Sequence, residues 1–389
     1  MILKDENMTV HPNTDLYPWH GLRLFAYTVD LNIVSYRNIP RIFPSCVLML
    51  LVALTLSAMG QPGSSTASYT KFTGVIGTDT VVVDLIWKGA QISGFYYYKQ
   101  TGILQKLSGW HDSTNHFTIN EYDEGGLQTA TLTGNKMTAS AISGTWTNTI
   151  THVTAPFSLT ETPSGTAHIT FHEQAASNCK SNTSKADTSK CTTVEVDYLT
   201  VSTPVTSASN QINEALIQLV SGAEYSSVDA MLADALKTPD DESFHSTVSC
   251  ILLTNDNNIL SVQNTVTILV YGVAEPVMYT ILRNFNLQTG KPITLQDLFL
   301  PNYEYSLNRI GERHFTRKNG ATGWNFQPGH FELTTNFAVL PGGLLFQFNP
   351  YQLVPYSMGM PTVFIPYHEI RDLLKPGVLP IAWQRTRSK

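Results

Sequence analysis

Three neighbouring carboxylates have the side-chain chemistry and the spacing that could catalyse bond cleavage. Glu121, Asp123 and Glu124 lie close together beside a Gly-Gly pair. Glycosidases use two carboxyl groups that face each other across a cleft. Neighbouring carboxylates on one hairpin are more often turn charges, so the cluster favours a polar turn over a glycosidase site.

Histidines do not add a second reactive site. His111, Asp112 and His116 resemble a ligand set, but they lie in a stretch of Ser, Thr and Asn that is typical of a solvated hairpin loop. No CxxC pair or Cys/His cluster has the spacing of a zinc site. GxSxG, HExxH and glycine-rich phosphate-binding motifs are also absent from the sequence. We therefore predict no catalytic residue, no metal and no cofactor.

Three consecutive tyrosines could provide an aromatic binding strip. On a β-strand, Tyr97 must face away from Tyr96 and Tyr98. An exposed pair can stack on a sugar or on a partner protein, whereas a buried pair contributes cross-strand packing. Both interpretations stay open, and Tyr96 and Tyr98 are candidate binding residues.

A second aromatic segment, residues 349–361, contains several prolines. Its candidate binding residues are Tyr351, Pro355, Tyr356, Met358 and Gly359. Because proline fixes φ at about −65°, this loop should lose less conformational entropy on binding than a Gly/Ser loop. The alternative is that the tyrosines pack against their own sheet and that the prolines only stiffen a connection.

One apolar run near the N-terminus indicates the cellular compartment. Residues 46–56 are apolar except for Thr55, and this length fits the roughly 7–15 residues of a secretory signal and falls short of the roughly 20 of a membrane span. Small residues at Ala58 and Gly60 fit a signal-peptidase site. We predict cleavage near Gly60, no membrane anchor afterwards, and a periplasmic or extracellular mature chain.

Of the four cysteines, Cys46 leaves with the signal. Cys179 and Cys191 bracket a short polar stretch, and an oxidising compartment favours a disulfide between them. Such a bond stabilises a fold by about 3 kcal/mol in the chain-entropy model. Cys250 lies in an apolar run and is predicted to be a buried thiol.

The elements that must position these residues begin with a row of short strands. Between residues 69 and 161, β-rich runs alternate with turns rich in Gly, Asn and Asp. The turns are too short for parallel crossovers, so the strands should be antiparallel. The eight runs, each with one apolar face, predict an up-and-down barrel. A sandwich of two four-stranded sheets is the alternative.

A domain of different character should follow. Two helices, capped near Ser209 and Ser227, precede further strands, and a third helix at about 303–316 carries His314 at the edge of the core. The fold class is therefore mainly β plus α+β, with a barrel-like domain followed by a mixed sheet and flanking helices. The predicted boundaries are 1–60 for the N-terminal extension and signal, 61–68 for a linker, 69–161 for the barrel-like domain and 168–383 for the α+β domain.

Several short motifs occur together in the C-terminal part. They are NLQTGK from Asn286, LQDLF from Leu295, GLLFQFNPY from Gly343 and VFIPY from Val363, with Pro355-Tyr356 and Gly359 between the last two. Over residues 270–375 the chain resembles the family of extracytoplasmic domains typified by the C-terminal part of the anti-sigma factor RsiV. Residues 168–265 resemble the domain that precedes it in RsiV-like proteins and in the peptidoglycan deacetylase PdaC.

This resemblance implies a binding role that faces the cell envelope. The corresponding region of RsiV binds lysozyme, and the front domain of PdaC accompanies a separate catalytic module. We expect neither sigma-factor signalling nor deacetylation, because the chain shows no sigma-binding segment and little sequence follows Lys375. Family members often carry Gly-Ala-His before the strand at Asn286, whereas this chain has Gly-Val-Ala-Glu at 272–275. A function of that histidine does not carry over.

Charge and the absence of motifs narrow the classes of partner. Lys and Arg number 24 against 30 Asp and Glu, and no basic block occurs, so a nucleic-acid partner is not expected. The expected function is non-enzymatic binding of an envelope protein or glycan, with a lysozyme-type muramidase as one candidate. A cell-wall glycan hydrolase and a carrier of a small apolar ligand are the alternatives.

Overall fold

The structure is a computed structural model that describes most of the chain after residue 66. The predicted signal at 46–56, its cleavage site near Gly60, most of the predicted linker and Glu124 lie outside the described residues. Within the described part, no helix has both the length and the apolar character needed to cross a membrane. The described residues are 67–123, 125–138, 140–162, 166–179, 191–237, 243–320 and 329–380.

Eight antiparallel strands form the first part of the fold. They are β1 (Ser68–Ile76), β2 (Asp79–Lys88), β3 (Gln91–Tyr98), β4 (Gln105–His111), β5 (His116–Tyr122), β6 (Gln128–Thr138), β7 (Ala141–Asn148) and β8 (Thr154–Glu161). Each strand pairs with the next along the chain, and β1 also pairs with β8. This last pairing closes the sheet, so the predicted barrel is confirmed and the two-sheet sandwich is wrong.

Side chains fill the interior of this barrel. The period of two along β2 points Val81, Val83, Leu85 and Trp87 inwards, where all four are buried. Phe117 from β5 packs in the same core. The interior is therefore a packed core, whereas a barrel that carries a small ligand holds the ligand in this space.

A five-stranded mixed sheet continues from the barrel. Its strands are β9 (His168–Cys179), β10 (Cys191–Ser202), β11 (Phe244–Asp256), β12 (Ile259–Val270) and β13 (Val277–Asn286). β10 and β11 are parallel, and the other neighbours are antiparallel. A parallel pair needs a long crossover, which α1 (Thr206–Ser221) and α2 (Val228–Ala235) provide. One residue pair, Ser68 and Thr170, links β1 to β9.

Of the helix caps predicted near Ser209 and Ser227, only the second forms. Ser227 caps α2, because its side chain accepts a hydrogen bond from the backbone N–H of Ala230. α1 begins earlier than predicted, after Val205, and has no side-chain cap. Ser209 lies inside α1, where its hydroxyl accepts the backbone N–H of Thr203. The predicted cap at Ser209 is therefore wrong, and this serine fixes the chain that leads into the helix.

A small antiparallel sheet and three helices complete the fold. They are α3 (Leu295–Leu298), α4 (Glu304–Asn319), β14 (Phe337–Leu340), β15 (Gly343–Gln347), β16 (Thr362–Pro366) and α5 (Tyr367–Ile370). Their core includes Phe315, Phe346 and Tyr367, which are fully buried. Asn284 joins the two sheets, since its amide donates to the Phe337 carbonyl and accepts the N–H of Val339. The predicted α+β region is confirmed.

Buried polar residues lie on the outer wall of the barrel, and one of them bonds to the mixed sheet. Lys71 and Asp84 form an ion pair at 3.2 Å, and the hydroxyl of Tyr69 donates to Asp84 at 2.5 Å. Tyr97 donates its hydroxyl to Asp256, in the turn between β11 and β12, at 2.8 Å. Burial raises the pKa of both tyrosines, followed by the negative charge of the aspartate that each contacts. The hydroxyls therefore stay protonated as donors.

Candidate functional site

The predicted binding loop, residues 349–361, connects β15 to β16 and lies beside the hairpin of β12 and β13. The side chain of Asn349 accepts the backbone N–H of Thr280 at 2.8 Å. The hydroxyl of Tyr356 donates to the Pro276 carbonyl at 2.7 Å. Hydrogen bonds at these two points hold the loop against the hairpin.

Turns within the loop restrict its backbone further. The N–H of Tyr351 donates to the Val354 carbonyl at 3.1 Å, and Tyr351 has a φ of 66°. Pro355, with a φ of −58°, precedes a 3₁₀ turn at Tyr356–Met358 that ends at Gly359, where φ is 76°. Glycine adopts this left-handed conformation without steric cost. The proline and glycine therefore define where the turn starts and ends.

One side of the loop faces the core and the other faces solvent. Leu353 and Val354 are buried in the C-terminal core. Tyr351 is 65% exposed and Met358 is 54% exposed. Tyr356 is partly buried, and its ring centroid lies 6.0 Å from that of Tyr351. Packing against the protein therefore describes Tyr356, whereas Tyr351 and Met358 are available for contact with a partner.

The exposed side extends onto the neighbouring hairpin. Val273 and Val277 are each at least half exposed, and they flank the Pro276 carbonyl that Tyr356 contacts. Burial, then the nearby carboxylate of Glu275, raises the pKa of Tyr356, so its hydroxyl remains a donor. We call the following set the Tyr/Pro surface: Tyr351, Pro355, Tyr356, Met358, Gly359, Val273 and Val277. Its chemistry is aromatic and apolar contact, with no arrangement for bond breaking.

Tyr96 and Tyr98 do not form an exposed aromatic strip. Tyr96 points into the barrel and is 1% exposed. The ring of Tyr98 meets it edge-on, with 5.5 Å between the centroids. Tyr97, on the opposite side of β3, is buried against the mixed sheet. Tyr96 and Tyr98 therefore lie on the same face of β3 and pack on the barrel core, and Tyr96 is inaccessible to a binding partner.

Glu121 is a buried structural acceptor inside the barrel. Its carboxylate accepts hydrogen bonds from the Tyr96 hydroxyl at 2.6 Å, the Thr129 hydroxyl at 2.7 Å and the Trp146 indole at 3.0 Å. Asp123 lies in the following turn and accepts the backbone N–H of Leu127. The turn-charge interpretation therefore fits Asp123 and is wrong for Glu121. These two carboxylates do not face a common cleft.

The histidine group in the barrel also has a structural role. Asp112 accepts the backbone N–H groups of Thr114 and His116 and the hydroxyl of Thr114. The Thr114 hydroxyl bond is the main cause of the lowered pKa of Asp112. His111 lies 2.9 Å from the Gly89 carbonyl through Nε2. Within the described residues, no group of three His, Cys, Asp or Glu side chains has the arrangement of a metal site.

Sequence reasoning missed a cluster of ionisable residues between α4 and α5. Glu369 accepts hydrogen bonds from His314 at 2.9 Å and from Arg313 at 2.7 Å, and Nε2 of His368 lies 4.0 Å away. Burial opposes ionisation of Glu369, but the bonds from His314 and Arg313 outweigh it, so its pKa is lowered. No hydroxyl or thiol among the described residues hydrogen-bonds His314 or His368. The arrangement is an ionic contact between two helices and has no nucleophile.

The cysteines lie at two separate places. Cys179 and Cys191 are joined by a disulfide between the end of β9 and the start of β10. Cys250, on β11, is a free and partly buried thiol. Burial is the main cause that raises its pKa to about 12. The thiol is therefore protonated at neutral pH, and since the thiolate is the reactive form, Cys250 is a poor nucleophile.

Two solved structures are similar to this chain at low identity. One, a member of the DUF3298 family from Bacteroides fragilis, has 16% identity and a TM-score of 0.47, and the match covers 57% of this chain and 98% of that one. The other, a DUF3298 family protein from Pseudomonas aeruginosa, has 17% identity and a TM-score of 0.43, and covers 54% and 96%. These values are too low to transfer a site from either structure.

A family model gives the more specific result. No curated protein matches the chain. Residues 296–368 match the family described as "Protein of unknown function (DUF3298)". The matched segment contains α4, the small sheet β14–β16 and the loop at 349–361. The chain therefore carries a DUF3298 domain at residues 296–368, and the loop half of the Tyr/Pro surface belongs to it.

Proposed function

We propose that this protein is an extracytoplasmic binding protein that recognises a protein or glycan of the cell envelope through the Tyr/Pro surface. The observation that carries the proposal is the exposure of Tyr351 and Met358 on a loop that is anchored to the β12–β13 hairpin. Aromatic side chains contribute much of the energy at protein interfaces. A loop already fixed by hydrogen bonds and proline loses little entropy when it binds.

The resemblance in sequence supports a narrower partner. The motifs GLLFQFNPY and Pro355-Tyr356, on which the resemblance to RsiV-like proteins depends, lie in the strand β15 and the loop of the Tyr/Pro surface. On this basis we extend the proposal to a muramidase of the lysozyme type as the protein partner. The apolar run at 46–56 supports a location outside the cytoplasm, and N-terminal sequencing of the exported protein should then begin near Gln61.

The test measures binding of the chain from Gln61 onward to lysozyme and to soluble peptidoglycan fragments. Replacing Tyr351 by Ala should weaken binding at least tenfold, because it removes an exposed aromatic contact and no side-chain hydrogen bond. Tyr305→Ala is the matched control, since Tyr305 is 76% exposed on α4 and lies outside the Tyr/Pro surface. Biolayer interferometry with both variants gives the comparison.

Two results would count against the proposal. One is the absence of binding to both lysozyme and peptidoglycan fragments by the unmodified chain. The other is an equal loss in Tyr351→Ala and Tyr305→Ala, which would show that the Tyr/Pro surface has no special role. Zymography on peptidoglycan separates the alternative of a glycan hydrolase, because only a hydrolase produces a cleared zone.

A further inference from the structure

A polar groove lies between the outer wall of the barrel and the mixed sheet, away from the Tyr/Pro surface. It has a volume of about 320 Å³. β2, β3 and β4 form one wall, and β9, β10 and β11 form the other. Ligand sites occur preferentially at junctions between structural units of this kind. The groove is large enough for a small polar molecule.

Two carboxylates lie side by side on one wall of this groove. Glu173 on β9 and Asp197 on β10 are directly paired across the two strands. Lys88 crosses from the barrel wall to form an ion pair with Glu173. No donor among the described residues hydrogen-bonds the Asp197 carboxylate. Asp197 lies on the exposed face of β10. Partial burial, then the charge of Glu173, raises its pKa, whereas the charge of Lys88 lowers it.

The barrel wall of the groove also presents polar side chains that form no hydrogen bond with other described residues. Gln91, Ser93 and Ser108 line the groove. None of the three makes a side-chain hydrogen bond to another described residue. His172 lies on the opposite wall, where it stacks on Tyr198 and contacts the Thr200 hydroxyl at 2.8 Å. The groove therefore combines an amide, two hydroxyls and a carboxylate whose hydrogen-bonding capacity is open to a ligand.

An exposed indole stands beside these polar groups. Trp110 on β4 is 53% exposed and is the direct cross-strand partner of Gln91. Directly opposed residues of an antiparallel pair have Cβ atoms about 4.5–5.5 Å apart. The flat apolar face of Trp110 is therefore within reach of a molecule that contacts Gln91. Isolated exposed tryptophans of this kind are enriched where proteins bind partners.

We propose that this groove is a second binding site, and that its ligand is a neutral saccharide of one or two sugar units. A sugar carries several hydroxyls that both donate and accept, which matches Gln91, Ser93, Ser108 and Asp197. Its C–H faces pack on the ring of an aromatic residue such as Trp110. Lys88, Glu173 and Asp197 are charged side chains of the groove, and the first two neutralise each other in an ion pair. A strongly charged ligand would therefore find few groups of opposite charge. Ile86, Ile92 and Phe171 supply an apolar part of the lining.

The test is titration of the folded chain with maltose, cellobiose and N,N′-diacetylchitobiose, followed by calorimetry and tryptophan fluorescence. At least one disaccharide should bind saturably. Asp197→Asn should weaken that binding at least tenfold, and Trp110→Ala should weaken it and remove the fluorescence change. Glu332→Gln is the control, because Glu332 is an exposed carboxylate that makes no hydrogen bond or ion pair with another described residue and does not line the groove.

Folding and the first proposal can be separated from this result. The raised pKa of Asp197 means that its ionised form is disfavoured in the folded state, so Asp197→Asn should not lower the melting temperature at pH 7. Tyr351→Ala should leave disaccharide binding at the groove unchanged. Absence of binding by all three disaccharides, or binding that Asp197→Asn and Trp110→Ala leave intact, overturns the inference.

Discussion

At the scale of single residues, Glu369 shows how one carboxylate holds two helices together. It accepts hydrogen bonds from Arg313 and His314 on α4 while it belongs to α5. Bonds between charged groups are stronger than neutral ones. Neither partner lies near Glu369 in the sequence, so no local pattern could have identified this contact.

We expect Glu369→Gln to lower the free energy of unfolding at pH 7 by about 1–2 kcal/mol, because a charge-assisted pair is replaced by a neutral one. The folded-state pKa of Glu369 is lowered from its ordinary value of 4.5. The ionised carboxylate of Glu369 therefore stabilises the fold fully at pH values above 4.5. This stabilisation is lost as the pH falls through the lowered folded-state pKa. Urea denaturation at pH 7 and at pH 3 measures the difference between variant and wild type.

The control for this measurement is Glu332→Gln, since Glu332 is exposed and makes no hydrogen bond or ion pair with another described residue. It should change stability by less than about 0.5 kcal/mol. A Glu369→Gln effect that stays constant between pH 7 and pH 3 would contradict the ionic explanation.

At the scale of secondary-structure elements, the disulfide joins the last residue of β9 to the first residue of β10. Cys179 and Cys191 are separated by 12 residues. Closing a loop of this size reduces the entropy of the unfolded chain, and the bond should contribute about 3 kcal/mol. β9 and β10 also form one wall of the polar groove, so the same pairing aligns Glu173 with Asp197.

Replacing both Cys179 and Cys191 by Ser should therefore lower the free energy of unfolding by about 3 kcal/mol in the chain-entropy model. A reducing agent should produce a similar loss in the wild type and no further loss in the double variant. Thermal denaturation with and without the reducing agent measures both effects. A wild type that is insensitive to reduction would show that the bond adds no stability.

At the scale of the whole molecule, the barrel and the C-terminal sheet meet through two turns. Gly102 follows β3 with a φ of 65°, and Gly342 lies in the turn between β14 and β15. A Cβ added to Gly102 would lie 2.4 Å from the backbone of Gly342. A separate contact, the hydrogen bond from Tyr97 to Asp256, joins the barrel to the mixed sheet.

Gly102→Ala should destabilise the protein more than Gly89→Ala, although both glycines have a left-handed backbone. Gly89 has a φ of 55° and open space around it, so its alanine variant meets only the conformational cost of about 1–2 kcal/mol. Gly102→Ala adds a clash with the C-terminal sheet, which should cost about 1–3 kcal/mol more. Urea denaturation followed by fluorescence compares the two. Equal losses would mean that this contact contributes nothing to stability.

The amino-acid sequence alone was sufficient to predict the barrel and the stiffened loop. Alternating apolar residues and short turns define antiparallel strands, because side-chain direction and turn geometry depend on neighbours along the chain. Proline and glycine around Tyr356 likewise act on the local backbone. The cap at Ser209 was mispredicted because α1 already begins after Val205, which places Ser209 inside the helix, where its hydroxyl accepts the backbone N–H of Thr203.

Only the tertiary structure decided which side chains meet. The residues next to Glu121 in the sequence predicted that it lies in a turn. In the structure it lies inside the barrel, where Tyr96 and Trp146 from other strands donate hydrogen bonds to it. The groove at Asp197 needs residues of both the barrel and the mixed sheet, and the loop at Tyr356 acquires its position from Pro276. Burial and partner choice depend on groups that are distant in the sequence, so no pattern of adjacent residues contains them.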